Sequence, residues 1–155
     1  MNSLHLLFLL ALLVGPLIVT HSGRDVSIPT QVFDQYGAIS WENEKARLDN
    51  FAIQLQNDDR LTGYILVFDA VGGCSGEAQA RAIRAKRYVV EHRGVGWNRV
   101  IWRREGYLDG LTTVLQPVPR ELSLPFPLLS TVAGSDAPLN RGCKARLQRI
   151  KSSRW

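Results

Sequence analysis

Between residues 68 and 95 the chain reads FDAVGGCSGEAQARAIRAKRYVVEHRGV, and most of its chemistry-bearing side chains are gathered there. A carboxylate, Asp69, ends a strand-like run, and a glycine-rich loop carrying Cys74 follows. Five cations come next: Arg81, Arg84, Lys86, Arg87 and Arg93. On a helix they could present a basic face to an anionic polymer, or they could be the solvated side of a helix whose apolar stripe is buried. Cys74 could act as a nucleophile only with a base beside it, and no His or Asn context supports that. The loop GGCSG also lacks the Gly-x-Ser-x-Gly pattern of a nucleophile turn. The chain shows no Ser/His/Asp arrangement and no paired carboxylates in a glycine loop, so a non-catalytic protein is expected. His92, at a helix C-terminus, is explained by the helix dipole, and Trp41, Trp97 and Trp102 by core or rim packing.

The cysteines say more about compartment than about catalysis. Two, Cys74 and Cys143, are too few and too far apart for zinc, which wants four ligands in close pairs, and no metal or cofactor is expected. In an oxidising space a Cys74–Cys143 disulfide is the economical reading, closing a loop of about 70 residues. The N-terminus agrees. Residues 4–19, LHLLFLLALLVGPLIV, are almost wholly apolar, and no charged side chain precedes Arg24. That run suits a signal-peptide core better than a membrane span of about 20 residues. Thr20 and Ser22 fit the −3 and −1 positions of a cleavage site, whereas the segment MNS offers only the terminal amine as positive charge. Residues 1–22 are therefore read as a signal peptide or, alternatively, an uncleaved N-terminal anchor giving membrane attachment. Residues 23–31 are a polar connector, and the rest is expected to be periplasmic or secreted.

The net charge of +5 is not spread evenly, because residues 137–155 hold six basic side chains and no acidic one. Residues 1–136 hold 13 basic and 14 acidic ones, so the chain is a neutral domain with a basic tail. Neutrality and a leader both argue against a nucleic-acid partner.

The elements that must position these groups follow from pattern. VFDQYGAI has strand character; Ser40 can cap a helix whose first turn holds Glu42 and Glu44. Trp41, Leu48, Phe51, Ala52 and Leu55 make its apolar stripe, with Glu44, Lys45, Arg47 and Asp49 mostly elsewhere. GYILVFDA is a continuous apolar run, the mark of a buried central strand. A second helix is expected over residues 77–92, with Ala78, Ala82, Ala85 and Val89 inward and Gly94 as its C-cap. Two strands, VIWRR and LTTVLQPV, flank the turn EGYLDG. Beyond them five prolines between residues 117 and 138 suggest an extended, Pro-rich then basic tail, residues 120–155. The fold class is α/β, a two-layer β-α-β-α-β-β sandwich with a mixed sheet and helices on one face.

Four of these pieces carry a family likeness: FDQYGAIS, EKARLDNFAIQLQND, GYILVFD, and RAKRYVVEHRGVGWNRV with its Gly turn and an Arg before the third strand. Residues 32–119 resemble the OmpA-like C-terminal domain, a periplasmic module that binds peptidoglycan, and are similar in particular to a branch of secreted acidobacterial proteins. The resemblance implies a ligand and a site. In the family an Asp after the second strand and an Arg in the second helix grip diaminopimelate of the peptide stem, whose zwitterion needs an anion and a fork of donors. Asp69 and Arg84, fifteen residues apart and with Ala85 following, occupy those positions, and Gly72 matches the family glycine. Glu77 stands where the family has Asn, Ala80-Arg81 where it has Leu-Ser, and the long loop before the last strand is absent. The resemblance thus leads to two expectations. One is a cell-envelope module that binds the peptidoglycan stem through Asp69, Gly72 and Arg84. The other is a degenerate scaffold of the same fold that contacts an envelope protein and has lost that ligand.

Overall fold

The computed structural model describes residues 32–122 and 142–152. The leader, the connector and most of the Pro-rich stretch lie outside these residues. In chain order the elements are β1 (Asp34–Tyr36), α1 (Trp41–Asn57), β2 (Leu61–Ala70), α2 (Glu77–Arg87), β3 (Val100–Leu108), β4 (Thr112–Pro119) and α3 (Lys144–Ser152). The strands form one mixed sheet in the order β1-β4-β2-β3, with β2 parallel to β3 and β4 antiparallel to both β1 and β2. The mixed α/β character and the β-α-β-α-β-β order are those expected from the pattern.

Both long helices cover one face of this sheet. Leu48, Phe51 and Leu55 of α1 and Ala78, Ala82 and Ala85 of α2 meet Ile65, Val67, Val100 and Leu115 in one buried cluster. The small side chains of α2 let it lie close on β2 and β3. Gly63 marks the tightest approach of α1: a Cβ there would fall 2.5 Å from Leu55 Cδ1 and 2.8 Å from Phe51 Cζ. Only a residue without a side chain fits. The other face carries a second buried cluster, Leu66, Phe68, Val114 and Val118. Burial on both faces accounts for the unbroken apolar run of β2.

The element ends follow local chemistry. Ser40 Oγ accepts the Asn43 N–H at 3.3 Å and starts α1. At the other end of α1, Arg99 donates to the carbonyls of Leu55 at 2.6 Å, Asp58 at 2.7 Å and Leu61. One guanidinium thereby closes the C-terminus of α1 and the entry to β2. The helix α2 widens into a π-turn over Tyr88–His92 and stops at Gly94, whose φ of +74° is left-handed, as its C-cap position predicts. Pro117 and Pro119 sit in β4 past Leu115, where the pairing with β1 has ended and no N–H is needed on that side.

Three expectations change. EGYLDG is not a turn throughout: β3 continues to Leu108, with Glu105 as the extra residue of a bulge between the Arg104 and Gly106 pairings. The tail is not extended throughout, since residues 144–152 form α3. Lys, Ala, Arg, Leu and Gln are good helix formers, and a first turn packed against α2 removes the nucleation cost that an isolated nine-residue helix would face. The charges nearest the helix–helix seam are buried rather than solvated, as described below.

Cys74 and Cys143 form the expected disulfide, with Cα atoms 5.6 Å apart. It joins the loop before α2 to the residue before α3. Arg146 then pairs with Glu77 at 2.8 Å and Ile150 is buried. Peptide mapping without reductant is expected to recover the Cys74 and Cys143 peptides as one linked species. Reduction should lower unfolding free energy by about 2–4 kcal/mol, read as a lower urea midpoint. Separate peptides in the unreduced digest would refute the link.

Candidate functional site

The most concentrated set of ionic side chains among the described residues lies where α1 passes α2. Glu44, on the first turn of α1, is 0 % exposed. Its carboxylate pairs with the Arg84 guanidinium, lies 3.9 Å from that of Arg81, and accepts the Tyr36 hydroxyl at 3.4 Å. Arg81 is also bound to Glu77 at 3.1 Å, one helical turn back, and Glu77 in turn meets Arg146 of α3. Arg84 is stacked on Trp41, its Cζ 4.1 Å from the ring centroid. The same seam continues downward: Tyr88 Oη donates to Asp49 at 2.8 Å, Arg93 sits 3.4 Å from Asp49, and Gln56 donates to the Arg93 carbonyl. The helices are joined by long polar side chains as well as by the sheet beneath them.

The electrostatics of this cluster have a clear sign. Burial raises the Glu44 carboxyl above its ordinary value even though the Arg84 and Arg81 charges pull it down. Burial likewise lowers Arg84 against the opposing pull of Glu44. Desolvation thus outweighs attraction on both partners, the usual balance for a buried pair. Tyr36 is pushed up by burial and by the nearby Glu44 charge, and Tyr88 rises to about 12 through burial and its bond to Asp49. These hydroxyls stay protonated and serve as donors.

The three residues implied by the family resemblance have different surroundings from one another. Asp69, 2 % exposed, points to the helix side of β2 and pairs with Arg104 of β3. Arg104 also donates to Tyr107 Oη at 3.0 Å. Arg84, 8 % exposed, is engaged with Glu44 and Trp41 of α1. Gly72 has φ +69° and supplies the left-handed turn of the loop, with Gly73 donating to the Ala70 carbonyl at 2.9 Å. The acid and the guanidinium therefore each have an internal partner, one on β3 and one on α1, and the loop between them is closed by backbone bonds and the disulfide.

Helical periodicity sets Glu44 mostly off the apolar stripe and puts Arg81 and Arg84 on a face expected to be either basic and ligand-facing or solvated; all three are buried and ion-paired within the fold. Glu44 and Leu48 are four residues apart, so Glu44 shares the buried side of α1. The signal that could have found it is a carboxylate in register with the stripe opposite an arginine-bearing helix. Glu105, in the expected turn EGYLDG, lies instead in β3. In the bulge its side chain is only 5 % exposed, and Arg103 lies 2.9 Å away. Burial raises its carboxyl above the ordinary range, partly offset by Arg103.

Comparison with protein-family models, with curated proteins and with solved structures found no match.

Two outcomes follow from this geometry. Glu44→Gln leaves Arg84 buried without its anion and should reduce stability by about 3–5 kcal/mol in urea unfolding at pH 7, whereas joint Glu44→Leu/Arg84→Met should be close to neutral. Glu105 has a raised carboxyl, so the folded state holds its proton more tightly than the unfolded state. Its contribution to stability is present in acid and is lost as pH rises through the elevated value. Glu105→Gln should remove that dependence, so that the unfolding free energy at pH 7 minus that at pH 4 is more positive than in wild type. An unchanged difference would show that Glu105 is not desolvated.

Proposed function

We propose that this chain is a non-catalytic, extracytoplasmic module of the cell envelope, built as a disulfide-braced OmpA-like scaffold whose work is protein–protein contact. The element order, the mixed sheet with helices on one face, and the Arg99 staple support the OmpA-like reading. The disulfide is compatible with an oxidising compartment outside the cytoplasm. One observation favours a contact scaffold over a stem-peptide receptor: both residues that would grip the diaminopimelate zwitterion are already buried and ion-paired within the fold, Asp69 with Arg104 and Arg84 with Glu44. Binding a zwitterion there would require breaking two charge pairs before any ligand contact forms.

The test is retention on purified, insoluble diaminopimelate-type peptidoglycan. Wild type, Asp69→Asn and Arg104→Gln are expected to stay in the supernatant equally. Wild-type retention that Asp69→Asn abolishes, with the variant's circular dichroism unchanged, would overturn the scaffold reading in favour of stem-peptide binding.

A further inference from the structure

The short helix α3 is held to the domain at three points. The Cys74–Cys143 disulfide fixes its entry, Arg146 pairs with Glu77 of α2, and Ile150 is buried. Arg146 and Ile150 are four residues apart and so share the face turned toward the domain. Another face follows the i, i+3, i+4, i+7 spacing through Lys144, Leu147, Gln148 and Lys151, and these four line one groove together with Ser152. Lys144, Arg149 and Lys151 are exposed. Leu147 is half-buried, three residues from one lysine and four from the other.

These cations differ from those of the rest of the domain in having no acid beside them. Elsewhere Lys45 meets Glu42, Arg47 meets Asp34, Arg87 meets Glu91, Arg103 meets Glu105 and Arg104 meets Asp69. On α3 only Arg146 meets a carboxylate among the described residues. The sequence around α3 offers no remedy, since residues 137–155 carry six basic side chains and no acidic one. Three uncompensated charges on a helix tied down by a covalent link make a fixed positive surface.

Leu147 decides between anionic partners. A phosphate polymer in solution would be met by the cations alone. An anionic bilayer uses both kinds of side chain: the ammonium groups of Lys144 and Lys151 reach the headgroup phosphates, while their stems and Leu147 lie against the acyl boundary. The apolar residues 4–19, expected as a leader or anchor, also bring this chain to a bilayer.

We infer that the Lys144–Lys151 face of α3 docks on an anionic lipid surface, with Arg149 at its flank. This goes beyond the protein-contact reading and does not depend on it. The helix lies in the headgroup plane with Leu147 inward, and the Arg146–Ile150 face stays on the domain.

Hydrogen exchange of the full, oxidised chain, followed by mass spectrometry, tests the site. The chain is mixed with vesicles of phosphatidylglycerol and phosphatidylcholine in equal parts, or of phosphatidylcholine alone. The peptide spanning residues 144–152 reports on α3 separately from any binding by residues 4–19. Its exchange is expected to slow about tenfold on the anionic vesicles only, and to recover in about 1 M salt. Lys144→Gln/Arg149→Gln/Lys151→Gln should weaken docking about a hundredfold, about fivefold per charge, and so remove the protection. Leu147→Ala should weaken it about fivefold, each variant being compared with its own exchange without lipid. Lys86→Gln/Arg120→Gln, which removes two cations outside α3, should leave the protection in place. Equal protection on both vesicles, protection that survives the triple substitution, or equal loss in Lys86→Gln/Arg120→Gln would overturn the site. Protection by soluble polyphosphate as strong as that by the anionic vesicles, and indifferent to Leu147→Ala, would overturn the lipid assignment.

Discussion

A carboxylate with no exposure to water, Glu44, sets the relation between the two long helices. It is held by Arg84, approached by Arg81, and capped by the Tyr36 hydroxyl, so one anion gathers β1, α1 and α2. A buried charge of this kind is a demanding element. It contributes little net stability beside a well-packed apolar substitute, but it penalises any packing that would separate it from its cations. The helices lie side by side on the sheet, and a packing that drew Glu44 away from Arg84 and Arg81 would leave a buried carboxylate unpaired. Asp49 and Gln56, further along α1, extend the same constraint to Tyr88 and Arg93.

The disulfide and α3 extend this seam from outside. Cys74 lies in the loop that enters α2, so a link to Cys143 delivers α3 to the first turn of α2. There Arg146 meets Glu77, which already holds Arg81. The chain of contacts Arg146–Glu77–Arg81–Glu44–Arg84 alternates in sign, so each buried charge has an opposite neighbour. A covalent link helps here because α3 is short and strongly basic, and its burial is confined chiefly to Ile150. Loop closure by the cross-link removes conformational freedom that so small an interface could not offset.

Functional readings of Asp69 and Arg84 depend on the same physics. Their spacing across a glycine loop is a linear property, but whether they can meet a ligand depends on what each has already met. Arg104 reaches Asp69 because β3 runs parallel beside β2, and Glu44 reaches Arg84 because α1 and α2 share a face. Both partners come from elements remote in sequence. On the other side of α2, Trp97 and Ile101 are exposed beside β3, whose neighbour among the described strands is β2 alone.

Much of the architecture was legible in the residues because it rests on local rules. Ser40 announced a helix start, Gly94 a helix end, and the apolar run of β2 a central strand, each through backbone chemistry that operates within a few residues. The even cysteine count, beside an apolar N-terminal run, pointed to the disulfide for a reason of expected compartment rather than geometry. The helix in the tail and the continuation of β3 through Glu105 were missed, because one depends on docking against α2 and the other on pairing with β2. The same limit applies to charge. Composition counts ionic side chains, and periodicity assigns them to a helix face, but burial and pairing are decided by which neighbour the fold places opposite them. By itself the sequence determined the order of the main elements and the even cysteine count behind the covalent link, all short-range or compositional properties. Tertiary structure alone decided that Glu44, Arg81 and Arg84 are an internal brace rather than a wetted surface, because desolvation and Coulomb attraction act between groups that only folding brings together.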